Sequence, residues 1–334
     1  MPTERADPPS NSHQPKDWFA RSEAQQTCLP WLLIACVVLL EIVPFGCHRS
    51  ANVVTAYIAQ DQVYAEPILA QFTKETGIKV RAVFDSEAVK TVAIANRLLA
   101  ERGHPQCDVF WGNEELRTRQ LAAEGVFRET NAWTAVGFRS RRLVINTNRM
   151  SLAEAPKSLL ELTNASWRGQ VAMAYPLFGT TATHLLALRH RWGDAVWVAW
   201  CRALQANRPF VVDGNSVVVQ FVARGQARIG LTDSDDIAAA QREGAPVAAL
   251  PLTAESLLIP NTVAVVRRAP HPEPAQKLYE FLQRPEVVEQ LVAVRALEGG
   301  GLAQSAAAGL QPDWSAVLRD LNPATEILKQ IFLK

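Results

Sequence analysis

The 334-residue chain contains no run of five or more basic residues, and its 34 Lys+Arg stand against 33 Asp+Glu, a formal net charge of +1. A nucleic-acid footprint needs clustered Lys and Arg to displace counterions, so that class of partner is set aside. There is no His/Cys group at zinc-ligand spacing, no G-x-S-x-G elbow, no P-loop and no G-x-G-x-x-G after a strand. Those absences remove the common hydrolase, NTPase and dinucleotide signatures. Internal repeats and low-complexity tracts are also missing. What remains is an ordinary globular composition, 48% hydrophobic, long enough for two domains that each bury a core.

The amino terminus departs from that pattern. Residues 28–46 read CLPWLLIACVVLLEIVPFG, apolar apart from Glu41, and follow a polar stretch carrying Arg5, Lys16 and Arg21. This is an export signal or a membrane anchor; the unbroken apolar part is short for a span of about 20 residues. Phe45-Gly46-Cys47 resembles a lipoprotein cleavage site whose cysteine becomes acylated, with Pro44 where an aliphatic residue is usual. Acylation of Cys47, a retained anchor and plain cleavage stay open. All three put the body in the periplasm or on the extracytoplasmic membrane face. Without residues 1–47 the chain keeps 31 basic and 28 acidic side chains, and of its five cysteines only Cys107 and Cys201. One candidate pair is no disulfide framework, and both read as small buried apolar residues.

Along the body, β-branched and aromatic runs alternate with amphipathic helical stretches. Asn52–Ile58, Ile78–Phe84 and Cys107–Trp111 read as strands; Pro67–Thr76, Val89–Arg102 and Glu114–Glu124 read as helices. The order β-α-β-α-β predicts a parallel sheet covered on both faces. After the strand Arg142–Asn146 a second α/β unit follows, with strands at 170–174, 210–212, 227–231 and 247–250 and helices at 181–191, 217–224 and 237–243. One more apolar run, Ile259–Val266, precedes helices at 274–282 and 285–294.

Ligands of open α/β sheets sit beyond the carboxyl ends of the strands, so polar residues just after strands are the candidates. Thr180 and Thr181, after Gly179, open a helix whose free N–H groups form an anion seat, or one of them merely caps it. Asp213-Gly214-Asn215-Ser216 stands in the same relation to the next strand. Asp233, Asp235 and Asp236 follow a third; three close carboxylates need full solvation or a cation. Asp61, Asn113 and Glu114 offer matching groups from the first unit. His104, His184 and His271 read as surface or helix-face residues, Tyr57 and Tyr175 as core, and Arg139, Arg141 and Arg142 as a solvated run unless one of them reaches the cleft.

The ordered motifs AYIAQDQ, TGIKV, CDVFWGNEE, RSRRLVINT, FGTTATH, GNSVVVQFVARGQ, GLTDSDD, IPNTVAVV and RPEVVEQL, spread over about residues 52–291, resemble bacterial extracellular solute-binding proteins of ABC importers. Within these they are most similar to the ferric-iron-binding branch. The resemblance implies a two-lobe α/β fold of the type II periplasmic-binding class joined by two crossing strands. Residues 52–141 plus 260–300 become lobe 1, residues 146–258 plus 301–334 lobe 2, and 142–146 and 259–266 the hinge strands. It also implies a permease and an ATPase as partners, no enzymatic activity and no required cofactor. The iron-binding branch chelates Fe(III) through a histidine, a glutamate and two adjacent tyrosines, with an anion at a helix N-terminus. Here the corresponding positions are Asp61, Asn113 with Glu114 beside it, and Asp235-Asp236; the tyrosine pair is absent, while Thr180, Thr181 and Asn215 keep the anion seat. Asp61, Asp235 and Asp236 are thus the expected ligands of Fe(III) or another hard cation. An aminoalkylphosphonate, a polyamine-like or a thiamine-like solute would suit the same groups. Rivals from other classes are a metal-dependent phosphoester hydrolase built on Asp233–Asp236 and a sensor.

Overall fold

The computed structural model describes residues 52–85, 90–128, 132–301 and 309–333. Residues 1–47, with the export segment and Cys47, lie outside the described residues. Strands β1 (Val53–Ile58), β2 (Lys79–Val83) and β3 (Val109–Gly112) run parallel, with β1 in the middle, and β9 (Leu258–Val265) is antiparallel to β3. The second set comprises β5 (Val171–Ala174), parallel to both β6 (Phe210–Val212) and β7 (Ile229–Asp233).

One long strand, β4 (Thr134–Asn146), joins the two sets. Its first part, Thr134–Ser140, pairs with β9, and its second, Arg141–Ile145, pairs with β7; the short β8 (Val247–Ala249) also lies along the second part. The chain thus crosses from one set to the other at Ser140–Arg141, at the front edge of the Arg142–Asn146 segment assigned from the sequence. β4 starts at Thr134, well before Arg142, and its register shifts between Ala135 and Phe138, with Gly137 in the left-handed region at φ 81. That bulge interrupts the alternation by which a strand is read from sequence.

Helices cover both faces of each set. In the first, α1 (Gln62–Thr76), α8 (Pro272–Leu282) and α9 (Pro285–Ala293) bury Ile68, Phe72, Leu278 and Phe281 on one face, while α2 (Lys90–Ala100) and α3 (Glu115–Ala123) bury Ile94, Leu98 and Leu121 on the other. α1 stops at Gly77, which takes the left-handed conformation and returns its N–H to Thr73 O; α8 and α9 each start with a proline, whose missing N–H costs nothing there.

In the second set, α4 (Gly179–Trp192) and α5 (Asp194–Ala206) form one layer and α6 (Asn215–Ala223) and α7 (Ser234–Arg242) the other. The tail adds α10 (Trp314–Arg319) and α11 (Leu321–Phe332), which the sequence reading left unassigned. Leu321, Ala324, Leu328 and Phe332 make one stripe at spacings of three and four and join the α4/α5 core. Leu159–Thr163 form a 3-10 turn capped by the Ser158 side chain. Cys107 and Cys201 are buried free thiols, as small apolar residues would be. No helix among the described residues is long and apolar enough to cross a membrane.

Candidate functional site

Helix N-termini converge at the carboxyl ends of the strands. Asp61 precedes α1, Thr91 lies in the first turn of α2, Gly179–Thr181 open α4, Gly214 and Asn215 open α6, and Asp233–Asp236 open α7; with Asn113, Arg139, Tyr175 and Phe178 they line a cavity of about 50 Å³. The openings of α1, α4, α6 and α7 have no side-chain cap. Their first N–H groups are the donors that any helix start leaves unsatisfied. Neither Thr180 nor Thr181 caps α4, whose N-cap position is held by Phe178.

A buried ion network forms the floor. Residues 139 and 141 share one side of β4, and strand alternation carries both guanidinium groups inward. Arg141, fully buried, donates through Nη1 to Asp233 Oδ1 at 2.7 Å and to Asn215 Oδ1 at 2.8 Å, and through Nη2 to Leu231 O at 3.2 Å. Arg139 donates to Asn261 Oδ1 at 3.0 Å and to Asp233 Oδ2 at 3.4 Å. Asp233 Oδ2 also accepts from Thr180 Oγ1 at 2.8 Å and Asn215 Nδ2 at 3.2 Å. Expecting Arg139, Arg141 and Arg142 to be a solvated run is therefore wrong for the first two. On the other side of the strand Arg142 joins Ser140 and Glu298.

The three carboxylates differ in consequence. Burial pushes Asp233 up, but the charges of Arg141 and Arg139 outweigh it and leave its carboxyl below the ordinary range. Asp233 is saturated and structural. Burial raises Asp235 too, and with Arg139 pulling down against the nearby Asp233 and Asp61 it rests at about 7. Arg139 Nε lies 3.3 Å from Asp235 Oδ1 outside hydrogen-bond geometry, so that buried oxygen has no donor. One oxygen each of Asp233, Asp235 and Asp236 falls within 4.8 Å of the others. The requirement of solvation or a cation is thus met in part by arginine, which the sequence reading did not foresee.

The structure brings Asp61, Asn113, Thr180, Thr181, Asn215, Asp233, Asp235 and Asp236 to one cavity. Glu114 and Ser216 do not line it. Glu114 is buried and accepts from Leu116 N at 2.7 Å, Arg117 N at 2.8 Å and Thr183 Oγ1 at 2.9 Å, so it caps α3 and ties it to α4. His184, read as a surface or helix-face residue, lies on the buried face of α4 and is 1% exposed. Burial, reinforced by the charge of Arg141, drives its imidazole down to about 3 and keeps it neutral. Arg139 is the one arginine of its run that lines the cavity, and sequence reasoning missed Thr91 and Tyr175 as lining residues. Tyr175 stacks on Phe178 at 5.6 Å, and its position just after β5 was the signal available.

Two α/β halves that are joined through β4 and meet at a polar, helix-rimmed cavity define a two-lobe solute-binding protein. Residues 54–293 match the family model of bacterial extracellular solute-binding proteins, and the chain belongs to that family. It is 24% identical over 269 residues to the major ferric iron-binding protein of Neisseria meningitidis serogroup A, covering 73% of this chain and 79% of the relative. To the Fe(3+)-binding periplasmic protein of Serratia marcescens it is 31% identical over 222 residues, 60% of this chain and 62% of the relative. The crystal structure of iron-bound HitA from Pseudomonas aeruginosa superposes with a TM-score of 0.71 at 19% identity, covering 84% of this chain and 99% of that one.

Proposed function

We propose that this chain is the binding component of an ABC importer and captures Fe(III), or a hard cation like it, with a small oxyanion in the interlobe cavity. The donor set carries the reading, and the cavity of about 50 Å³ has room for three or four water-sized groups, as a metal ion with a small anion needs. Charge points the same way: Asp61, Asp213, Asp233, Asp235 and Asp236 line the cavity against two guanidinium groups, Arg139 in its wall and Arg141 bonded to Asp233. Hard oxygen donors suit a hard cation. Asp61, Asp235 and Asp236 are the ligands in this reading, with Asp235 supplying the oxygen that has no donor. The uncapped start of α4 receives the anion. Nothing in this chemistry requires turnover; a permease and an ATPase take the solute onward.

The test is iron retention by the purified full-length chain, stripped with chelator and reloaded with Fe(III)-nitrilotriacetate and bicarbonate. One iron per chain is expected, with at least a hundredfold weaker retention in Asp235→Asn/Asp236→Asn. A chain that takes up no iron but binds aminoethylphosphonate, spermidine or thiamine would refute the reading.

A further inference from the structure

Beyond the strands, the two halves also touch where two helix ends meet. Helix α7 packs into the core of the second set, and α1 and α9 pack into that of the first. α7 starts at the solute cavity with Asp235 and Asp236 and ends at Arg242; α9 ends with Val294 as its cap. The last carbonyls of a helix have no intrahelical donor and form its negative dipole end, so two such ends need cations to hold them together. Here each end sends an arginine to the other. Arg242 donates through Nη1 to Val294 O and through Nη2 to the Tyr64 hydroxyl of α1, the latter at 2.7 Å. In return Arg295 donates through Nη1 to Gln241 Oε1 at 3.5 Å. Arg295 does so from a backbone that arginine avoids: its φ is 55, the left-handed region in which a helix usually ends on glycine or asparagine. Strain of this kind persists where the surroundings hold it, and it is found at switch regions.

We propose that Arg242 and Arg295 form a clasp that holds the two halves closed over the solute cavity and lets go when the halves swing apart. α7 connects the two events, since its first turn lines the cavity and its last residue makes the clasp, about 12 Å away along the helix axis. Both arginines and Gln241 are exposed, so water replaces the hydrogen bonds as they part and the clasp can open and re-form. The contact from Thr183 to Glu114, which also joins the halves, is buried and has no such replacement. A contact present in the closed state and absent from the open one shifts the balance between them by its own free energy. The clasp therefore sets how often the cavity opens whichever solute it holds, and the residues that touch the solute set what is bound.

Hydroxyl-radical footprinting of the solute-free full-length chain tests this through Tyr175 and Phe178, which line the cavity, with the core residue Tyr57, 1% exposed, as the control for unfolding. Arg242→Ala removes two hydrogen bonds of the clasp and should raise the opening constant about three- to tenfold. Oxidation of Tyr175 and Phe178 should then run at least about twofold faster than in the parent chain, with Tyr57 unchanged. Arg295→Gly removes the return contact and places at φ 55 the residue that tolerates it. Its thermal midpoint should match or exceed that of the parent while oxidation at the cavity rises, a split that a purely structural role would not give. Oxidation of Tyr175 and Phe178 at the parent rate in Arg242→Ala overturns the proposal. So does a rise shared by Tyr57, which would mean general loosening, and so does an Arg295→Gly chain whose midpoint falls with no change at the cavity.

Discussion

Replacing Arg141 with methionine keeps most of the volume of the side chain and removes its charge. Asp233, 2% exposed, then retains Arg139 at 3.4 Å and the neutral donors of Thr180 and Asn215, but loses the 2.7 Å ion pair. Breaking a buried pair by removing one partner costs about 3–5 kcal/mol, because the other charge stays desolvated. With a urea dependence of about 3 kcal/mol/M for a chain of this size, the unfolding midpoint of Arg141→Met should fall by about 1–1.7 M. Asp233→Asn should also be costly, since it leaves Arg141 with only the neutral acceptors Asn215 Oδ1, Thr180 Oγ1 and the Leu231 carbonyl. The double variant restores the balance, with Arg139 facing Asp235 one to one. It should be less destabilised than the sum of the single changes by about 1–3 kcal/mol. A loss below about 1 kcal/mol for Arg141→Met, or an additive cycle, would show that the network is not a coupled buried ion cluster.

His184 gives a pH dependence of definite sign. Burial and Arg141 hold its folded pKa near 3, below the ordinary 6.5, so the unfolded chain takes up a proton that the folded chain refuses. Stability present above pH 6.5 is lost as pH falls toward 3, by about 2 kcal/mol at pH 5. The imidazole proton shifts of His184 should stay flat from pH 8 to 5, and a titration in that range would contradict its burial. Glu114→Ala removes the acceptor for Leu116 N and Arg117 N and should lower stability by about 1–2 kcal/mol in thermal unfolding; an unchanged midpoint would argue against the cap. Gly230→Ala would set a Cβ 2.5 Å from Val218 Cγ1 and 3.0 Å from Val144 and Val222, so calorimetric unfolding should register an overpacking loss of about 1–3 kcal/mol. A neutral result would mean that those valines can move apart.

Much of the site was open to sequence reasoning because it rests on local rules. Asp61, Thr180, Asn215 and Asp235 each stand at a helix start within a few residues of a strand's carboxyl end, and α/β geometry sends such positions to one edge of a sheet. Glu114 fits the same rule yet turned toward its own helix, since a carboxylate at the N-cap position is captured by the adjacent N–H groups. Ser216, one residue further into α6 than Asn215, does not line the cavity.

By itself the sequence determined the alternation of strands and helices, and with it the class of sheet and the edge where a solute meets it. Both follow from periodicity and from the chirality of short connections, which act within a few residues. Only the tertiary structure decided that Arg139 and Arg141 turn inward to meet Asp233 and Asp235, and that His184 is sealed under the Glu255 carbonyl. The sequence separations there are 94, 96, 92 and 71 residues. Whether a charge is solvated or paired over such distances depends on which strands become neighbours, and no local pattern carries that information.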